Sequence, residues 1–144
     1  MSNDWVETSA KWAGEMGFIG ENAKGGIVQM GTVDGKPGVA PMEMLLLGLA
    51  GCTGVDVVHI LRKKRAPLKD LEVRVRAKRA DQHPKVYVEI EIEYLLWGAL
   101  KPKDVAQAIQ LSEEKYCSAS AMLGKTAEIR STYKILPPEE TAND

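Results

Sequence analysis

The two cysteines are the side chains of this sequence best suited to redox chemistry. Cys52 lies in an apolar segment, with Gly51 before it and Gly54 soon after it. Each glycine costs a helix about 1 kcal/mol relative to alanine, which indicates close approach of another helix or a substrate to Cys52. Cys117 is expected at the start of a helix, where the helix dipole lowers the pKa of a thiol and favours the reactive thiolate. For both cysteines an inert core position remains the alternative.

Asp56 and His59 follow Cys52 at the fourth and seventh positions, on one helical face. A Cys–Asp–His arrangement could activate a nucleophile. However, His59 would lie about 10.5 Å from Cys52 along the helix axis, beyond hydrogen-bond reach. We therefore expect His59 to be a helix-end residue. No pair of cysteines or histidines has metal-ligand spacing such as C-x-x-C, so neither a metal nor a cofactor is predicted.

Length and charge narrow the class of protein. A chain of 144 residues is expected to form one domain, and a net charge of −1 argues against a nucleic-acid partner. Met1 to Trp12 is polar and has no secretory pattern, which predicts a cytoplasmic protein. The apolar stretch from Met42 to Leu61 contains Glu43, which is costly in lipid, so a buried helix is favoured over a membrane span. Cytoplasmic thiols are kept reduced, so the cysteines are either inert or redox-active.

The first half of the sequence predicts a strand meander followed by a central helix. Glycines and prolines separate short strands at Val6 to Trp12, Phe18 to Asn22 and Ile27 to Met30. Pro41 suits the first position of a helix. The helix that follows is apolar nearly all round up to the basic run that starts at Arg62, so we expect burial on most of its sides.

Two strands with period-two alternation follow the helix and predict a hairpin with one buried face. The solvent-exposed face is basic on the first strand and acidic on the second, so opposite charges would lie across from each other. The apolar positions predicted to be buried are Leu71, Val73, Val75 and Ala77 on the first strand and Val86, Val88, Ile90 and Ile92 on the second.

The last third predicts a helix from about Pro102 to Lys115, a short helix from Ser118 to Leu123, and a strand from Glu128 to Leu136. The predicted order is βββ-α-ββ-α-α-β. Strands and helices come in blocks, which indicates an α+β fold. We expect one domain over residues 1–136, followed by a polar tail over residues 137–144.

Two segments resemble motifs of the OsmC/Ohr family. The stretch from Pro41 to Cys52 resembles the P-x-E-x-L-L central helix of that family, with its cysteine eleven residues after the proline. The stretch from Tyr116 to Ser120 resembles the family's C-P-x-S segment, and the 65-residue separation of the cysteines also fits. The resemblance implies an OsmC-like fold with a central helix, and an intertwined homodimer with active sites at the subunit interface.

The resemblance also implies a chemistry, that of a thiol-dependent organic hydroperoxide reductase in oxidative-stress defence. Cys52 would be the peroxidatic residue, which attacks the O–O bond and becomes a sulfenic acid. Cys117 would resolve it to a disulfide, and an external dithiol of lipoyl or thioredoxin type would reduce the pair. Glu43 is a candidate supporting carboxylate. Neither a cofactor nor a nucleic-acid or membrane partner is implied.

The sequence departs from the family pattern at the electrostatic support of the thiolate. Characterised members hold it with an arginine from the N-terminal strands, whereas this chain has no arginine before Arg62. Lys24 or Lys36 could replace it without the bidentate fork. Glu43 stands one position later than the usual glutamate, and Ser118 replaces the proline. The alternatives are a non-catalytic small-molecule-binding protein or a redox sensor of the same fold.

Overall fold

The computed structural model describes residues 4–140, and the chain divides between Leu45 and Leu46 into two compact units. The predicted α+β class and element order are confirmed for the described residues. Residues 1–3 of the expected domain and 141–144 of the expected tail lie outside them, and the domain boundary stays a prediction. The elements are β1 Thr8–Trp12, β2 Phe18–Asn22, β3 Ile27–Met30, α1 Pro41–Lys63, β4 Leu68–Arg79, β5 Tyr87–Gly98, α2 Pro102–Leu111, α3 Ser118–Leu123 and β6 Glu128–Leu136.

The first unit contains the predicted meander, in which β1, β2 and β3 pair antiparallel in chain order. Pairing begins at Thr8, opposite Asn22 at the end of β2. The sequence placed this strand's start at Val6, which lies beyond the partner strand and is exposed. Gly31 closes the third strand with a φ of 70°, and a Cβ there would lie 2.5 Å from the Met16 carbonyl oxygen. Only glycine fits this turn without a backbone shift.

Helix α1 begins at Pro41 as predicted. The Glu43 carboxylate accepts the Ala40 backbone N–H at 2.8 Å, which satisfies a donor that the helix leaves free. Within the single chain the buried residues of α1 repeat every fourth position and form one stripe: Leu49, Thr53, Val57 and Leu61. Leu47 and Val55 stay exposed, so the expected burial on most sides is not met within one chain. By length and composition alone this helix could cross a membrane, the one such helix in residues 4–140.

The second sheet places β5 between β4, which is antiparallel to it, and β6, which is parallel. The predicted hairpin is confirmed, and so are its cross-strand charges. The ion pairs are Arg74–Glu93 at 3.8 Å, Arg76–Glu91 at 2.6 Å and Lys78–Glu89 at 3.6 Å.

One part of the predicted alternation in the hairpin is wrong. Val86 and Val88 were expected on the buried face, yet Val88 is 39% exposed and Tyr87 is 6% exposed. The pairing register shifts between Lys78 and Arg79, where Lys78 lies opposite Glu89 and Arg79 opposite Tyr87. The extra residue on β5 is a bulge, and it inverts the faces of the residues before it.

Candidate functional site

The two cysteines come from elements far apart in sequence and lie near each other in the second unit. Cys52 lies in α1 and is half-buried, and Cys117 precedes α3 and is 3% exposed. Both are free thiols. The Cys52 side chain lies close enough to act on the pKa of Cys117. The structure thus brings together the two residues that the sequence singled out.

The pKa of Cys117 is raised, opposite to the sequence expectation. Burial is the largest cause, because a thiolate loses its hydration inside the protein. The side chain and backbone N–H of Ser120 lower the pKa of Cys117, whereas the nearby Cys52 side chain raises it. The N–H contact to the Cys117 sulfur is 3.3 Å, whereas Ser120 Oγ makes no hydrogen bond of ordinary geometry, so its effect is that of a nearby dipole. Helix α3 has six residues, and its dipole does not outweigh burial.

A π-helical turn over Ser112–Tyr116 positions Cys117. The sequence predicts a regular helix as far as Lys115, but α2 ends at Leu111. In the π-helical turn that follows, hydrogen bonds join residues five apart instead of four. The turn closes with a hydrogen bond of 2.7 Å from the Cys117 N–H to the Ser112 carbonyl oxygen. Such turns are rare and occur often at functional sites.

A chain of buried hydroxyl groups runs beside the cysteines. Thr53, which follows Cys52, lies 2.8 Å from the Tyr94 hydroxyl and 2.7 Å from the Ser112 hydroxyl. Tyr94 donates to Glu113 Oε2 at 2.7 Å, and Ser112 donates to Asp56 Oδ2 at 2.9 Å. Five oxygens are therefore joined in a row, from Glu113 to Asp56. We call this row the hydroxyl chain.

The hydroxyl of Tyr94 stays protonated, because burial raises the pKa of Tyr94 far above its ordinary value. The hydrogen bond with Thr53 lowers this pKa, whereas the Glu113 carboxylate and, more weakly, a charge on Cys117 raise it. Tyr94 is therefore a neutral hydrogen-bonding group whose pKa responds to a charge on Cys117.

Sequence reasoning did not find the hydroxyl chain. It considered Asp56 only as a partner of Cys52 and His59, whereas Asp56 accepts the Ser112 hydroxyl and His59 is exposed. The available signal was Thr53, a polar residue in an apolar helix. Its partners Tyr94 and Ser112 are 41 and 59 residues away, so no local pattern connects them.

The other candidate residues lie at the surface. Glu43 is exposed, and its carboxylate caps the start of α1. Lys24 and Lys36 are exposed in turns of the first unit. Across residues 4–140, no three side chains of the His, Cys, Asp and Glu types gather in a way that could hold a metal ion.

A groove of about 860 Å³ lies between α1 and β4 in the second unit. Neither cysteine lines it. Its floor includes Gly54, where an added Cβ would lie 3.5 Å from Val73 Cγ2 on β4. Most of the other lining residues are apolar, including Leu47, Val55, Val58 and Leu71.

Comparisons with known proteins give consistent matches. The family described as OsmC-like protein matches residues 33–132. Protein YhfA of Escherichia coli is 36% identical over 132 residues, which cover 91% of this chain and 98% of that protein. A hypothetical protein from Aquifex aeolicus, solved by crystallography, is 36% identical with a TM-score of 0.84, over 94% of this chain and 98% of that one.

A more distant crystal structure shares the fold. It is an organic hydroperoxide resistance protein OsmC from Legionella pneumophila, with a TM-score of 0.69 at 11% identity. The match covers 93% of this chain and 99% of that chain. At this identity the likeness establishes the fold alone.

Proposed function

Since the chain belongs to the OsmC-like protein family, we propose that it is a thiol-dependent reductase of organic hydroperoxides. The fold is shared with a protein named for organic hydroperoxide resistance, which supports a role in peroxide stress. The observation that carries the proposal is the approach of Cys52 to Cys117. Two thiols that can join after one is oxidised are the minimum that a two-cysteine peroxidase needs.

The environments of the two thiols support different roles for them. The raised pKa of Cys117 keeps that residue a thiol, so Cys52 is the attacking residue when the pair carries one negative charge. The Cys52 thiolate attacks the peroxide, takes up one oxygen as a sulfenic acid and releases an alkoxide. The Cys117 thiol then displaces water and forms the disulfide. An external dithiol of lipoyl or thioredoxin type restores both thiols by exchange.

We propose that the working form is a homodimer. Helix α1 leaves apolar side chains uncovered in the single chain, among them Leu47 and Val55, which is 69% exposed. Exposed apolar patches of this kind mark association surfaces in soluble proteins. A second copy packed on α1 would cover them. We also propose a cytoplasmic location, where reductants keep the cysteine pair in the thiol form between cycles.

The test is consumption of cumene hydroperoxide by the purified protein with dihydrolipoamide as reductant. We expect wild-type turnover, with loss of about 2 Da per chain after one equivalent of peroxide when no reductant is present. Cys52→Ser should abolish both. Cys117→Ser keeps the attacking thiol, so it should still consume one equivalent of peroxide and stop at the sulfenic acid, which dimedone traps.

These two serine variants control for each other, because they make the same chemical change at two contacting positions. Equal loss of the first peroxide equivalent in both would contradict the assigned roles. A wild-type protein with both thiols free after excess peroxide would overturn the peroxidase proposal. It would leave ligand binding or redox sensing toward another protein as the alternatives.

A further inference from the structure

The hydroxyl chain has more hydrogen-bond contacts than its hydroxyl protons can fill. Its oxygens make four contacts of 2.7 to 2.9 Å. Three hydroxyl groups, on Tyr94, Thr53 and Ser112, bring three protons. If Asp56 and Glu113 were both ionised, Tyr94 and Ser112 would each donate to a carboxylate. Thr53 could then fill only one of its two contacts.

The contact left over would place two oxygen lone pairs against each other in a buried position. Thr53 and Ser112 are fully buried and Tyr94 is also 0% exposed, so water does not separate these oxygens. Two acceptors at hydrogen-bond distance with no proton between them repel, and a buried unfilled contact is costly. A fourth proton removes the conflict, because every hydroxyl then donates once and accepts once.

We propose that the hydroxyl chain holds a fourth proton and is a relay that shares this proton between Asp56 and Glu113. With the proton on Glu113, each group donates toward Asp56, and with the proton on Asp56 each group donates toward Glu113. The two arrangements make the same four hydrogen bonds. They differ only in the direction of donation and in which of the two carboxyl groups is negative. A proton that enters at one carboxyl group can therefore leave at the other.

The position of this relay connects it with the cysteine pair. Thr53, its middle member, follows Cys52 in α1, and the Ser112 carbonyl oxygen holds the Cys117 N–H at 2.7 Å. The ionisable groups that act on Tyr94 are Glu113 and Cys117. Negative charge on Cys117 therefore favours a proton at the Tyr94 end of the relay.

The relay gives a proton source for the proposed reaction, and this use rests on the proposed function. When the Cys52 thiolate attacks a hydroperoxide, the sulfur takes the terminal OH group and the O–O bond electrons leave on an alkoxide. The relay proton neutralises the alkoxide to an alcohol. Disulfide formation then releases water, with the Cys117 proton going to the departing hydroxide. Reduction by a dithiol restores the Cys52 thiolate and the Cys117 thiol and releases one proton, which the relay takes up.

The first experiment counts the proton without using the peroxide reaction. In the double variant Asp56→Asn/Glu113→Gln, one amide can present its NH₂ group and the other its oxygen, so all four hydrogen bonds remain. The unfolded wild-type chain has both carboxyls ionised at about pH 7. Unfolding of the wild type should therefore release one proton more than unfolding of the double variant. Calorimetry in buffers of different ionisation enthalpy measures this difference, and equal proton release would overturn the relay.

The matched control is Glu114→Gln, which changes an exposed carboxylate next to the relay. It should release as many protons on unfolding as the wild type. If it loses the extra proton as the double variant does, the proton does not belong to the hydroxyl chain and the proposal fails.

The second experiment measures cumene hydroperoxide consumption by the double variant. We expect a fall of about 100-fold, the usual loss when a positioned proton donor is removed. The rate of alkylation of Cys52 by iodoacetamide should not fall, because the double variant removes negative charge near the thiolate, whereas a merely structural role predicts that both rates fall together. Wild-type turnover by the double variant would overturn the catalytic use. Absence of turnover in the wild type itself would overturn the proposed function, while the proton count would still decide the relay.

Discussion

Thr53 and Ser112, 59 residues apart, share a buried hydrogen bond of 2.7 Å between their hydroxyl oxygens. Thr53 directly follows Cys52, and the carbonyl of Ser112 receives the N–H of Cys117. The bond therefore connects α1, which carries Cys52, to the π-helical turn that precedes Cys117. It positions the two cysteines relative to each other and also forms the centre of the hydroxyl chain.

Thr53→Val should destabilise the protein, although the two side chains have nearly the same shape. The change removes one buried contact from Tyr94 and one from Ser112, which keep only their hydrogen bonds to Glu113 and Asp56. We expect the free energy of unfolding to fall by about 1–3 kcal/mol. Urea denaturation measures it, with Thr126→Val as the matched control, because Thr126 is exposed and its hydroxyl donates to the carbonyl of Leu123. An equal effect of both changes would contradict a special role for the buried hydroxyl.

Tyr94→Phe should leave the Glu113 carboxylate without its hydroxyl donor and should also break the hydroxyl chain next to Thr53. We expect a fall in unfolding free energy of about 1–3 kcal/mol and a slower first peroxide reaction. Tyr133→Phe is the control, since Tyr133 is on β6 and is partly exposed. Stopped-flow measurement of peroxide consumption, compared between the two variants, separates this effect from a general weakening of the sheet.

Cys52→Ala should lower the pKa of Cys117, because it removes the neighbouring group that raises it. Burial still acts on Cys117, so its pKa should remain above the ordinary value. The sign follows from linkage: a thiol whose pKa is raised on folding contributes stability below its unfolded pKa, and this stability is lost as pH rises through the folded pKa. Thiolate ultraviolet absorbance against pH measures the shift. An unchanged Cys117 titration in Cys52→Ala would contradict the contact.

Val55→Lys should prevent dimer formation without unfolding the chain, because Val55 points away from the core of its own subunit and is 69% exposed. A lysine in the interface would place an unpaired charge where apolar side chains pack. Light scattering should report a dimer for the wild type and a monomer for the variant, at similar helix content. Met122→Lys, an equally exposed apolar position on α3, is the comparison. A wild-type monomer would contradict the homodimer.

Arg130→Gln should reduce stability from mildly acidic pH upward and should have less effect at lower pH. Arg130 hydrogen-bonds Glu89 and lowers the pKa of that carboxyl, and it also approaches Glu91, whose pKa is lowered mainly by Arg76. A carboxyl with a depressed pKa adds stability above its unfolded value, and that stability is lost as pH falls through the folded pKa. The pairs are exposed, so we expect a small effect that added salt suppresses. Thermal melts at several pH values and two salt concentrations test this.

Local patterns in the sequence determined the elements. Period-two alternation located β4 and β5, and Pro41 marked where α1 begins, because these signals act over a few residues. The spacing of two short motifs indicated the family and singled out Cys52 and Cys117 as candidate redox residues. The charge pairs of the hairpin followed from the alternation as well.

Tertiary structure decided what depends on contacts between distant residues. The bulge that turns Val88 outward arises from pairing with β4, which no pattern on β5 alone can specify. The raised pKa of Cys117 follows from burial, which outweighs a six-residue helix dipole. The hydroxyl chain joins α1, β5 and the π-helical turn. Its members lie far apart in sequence, and only packing of the second unit brings their oxygens within hydrogen-bond distance.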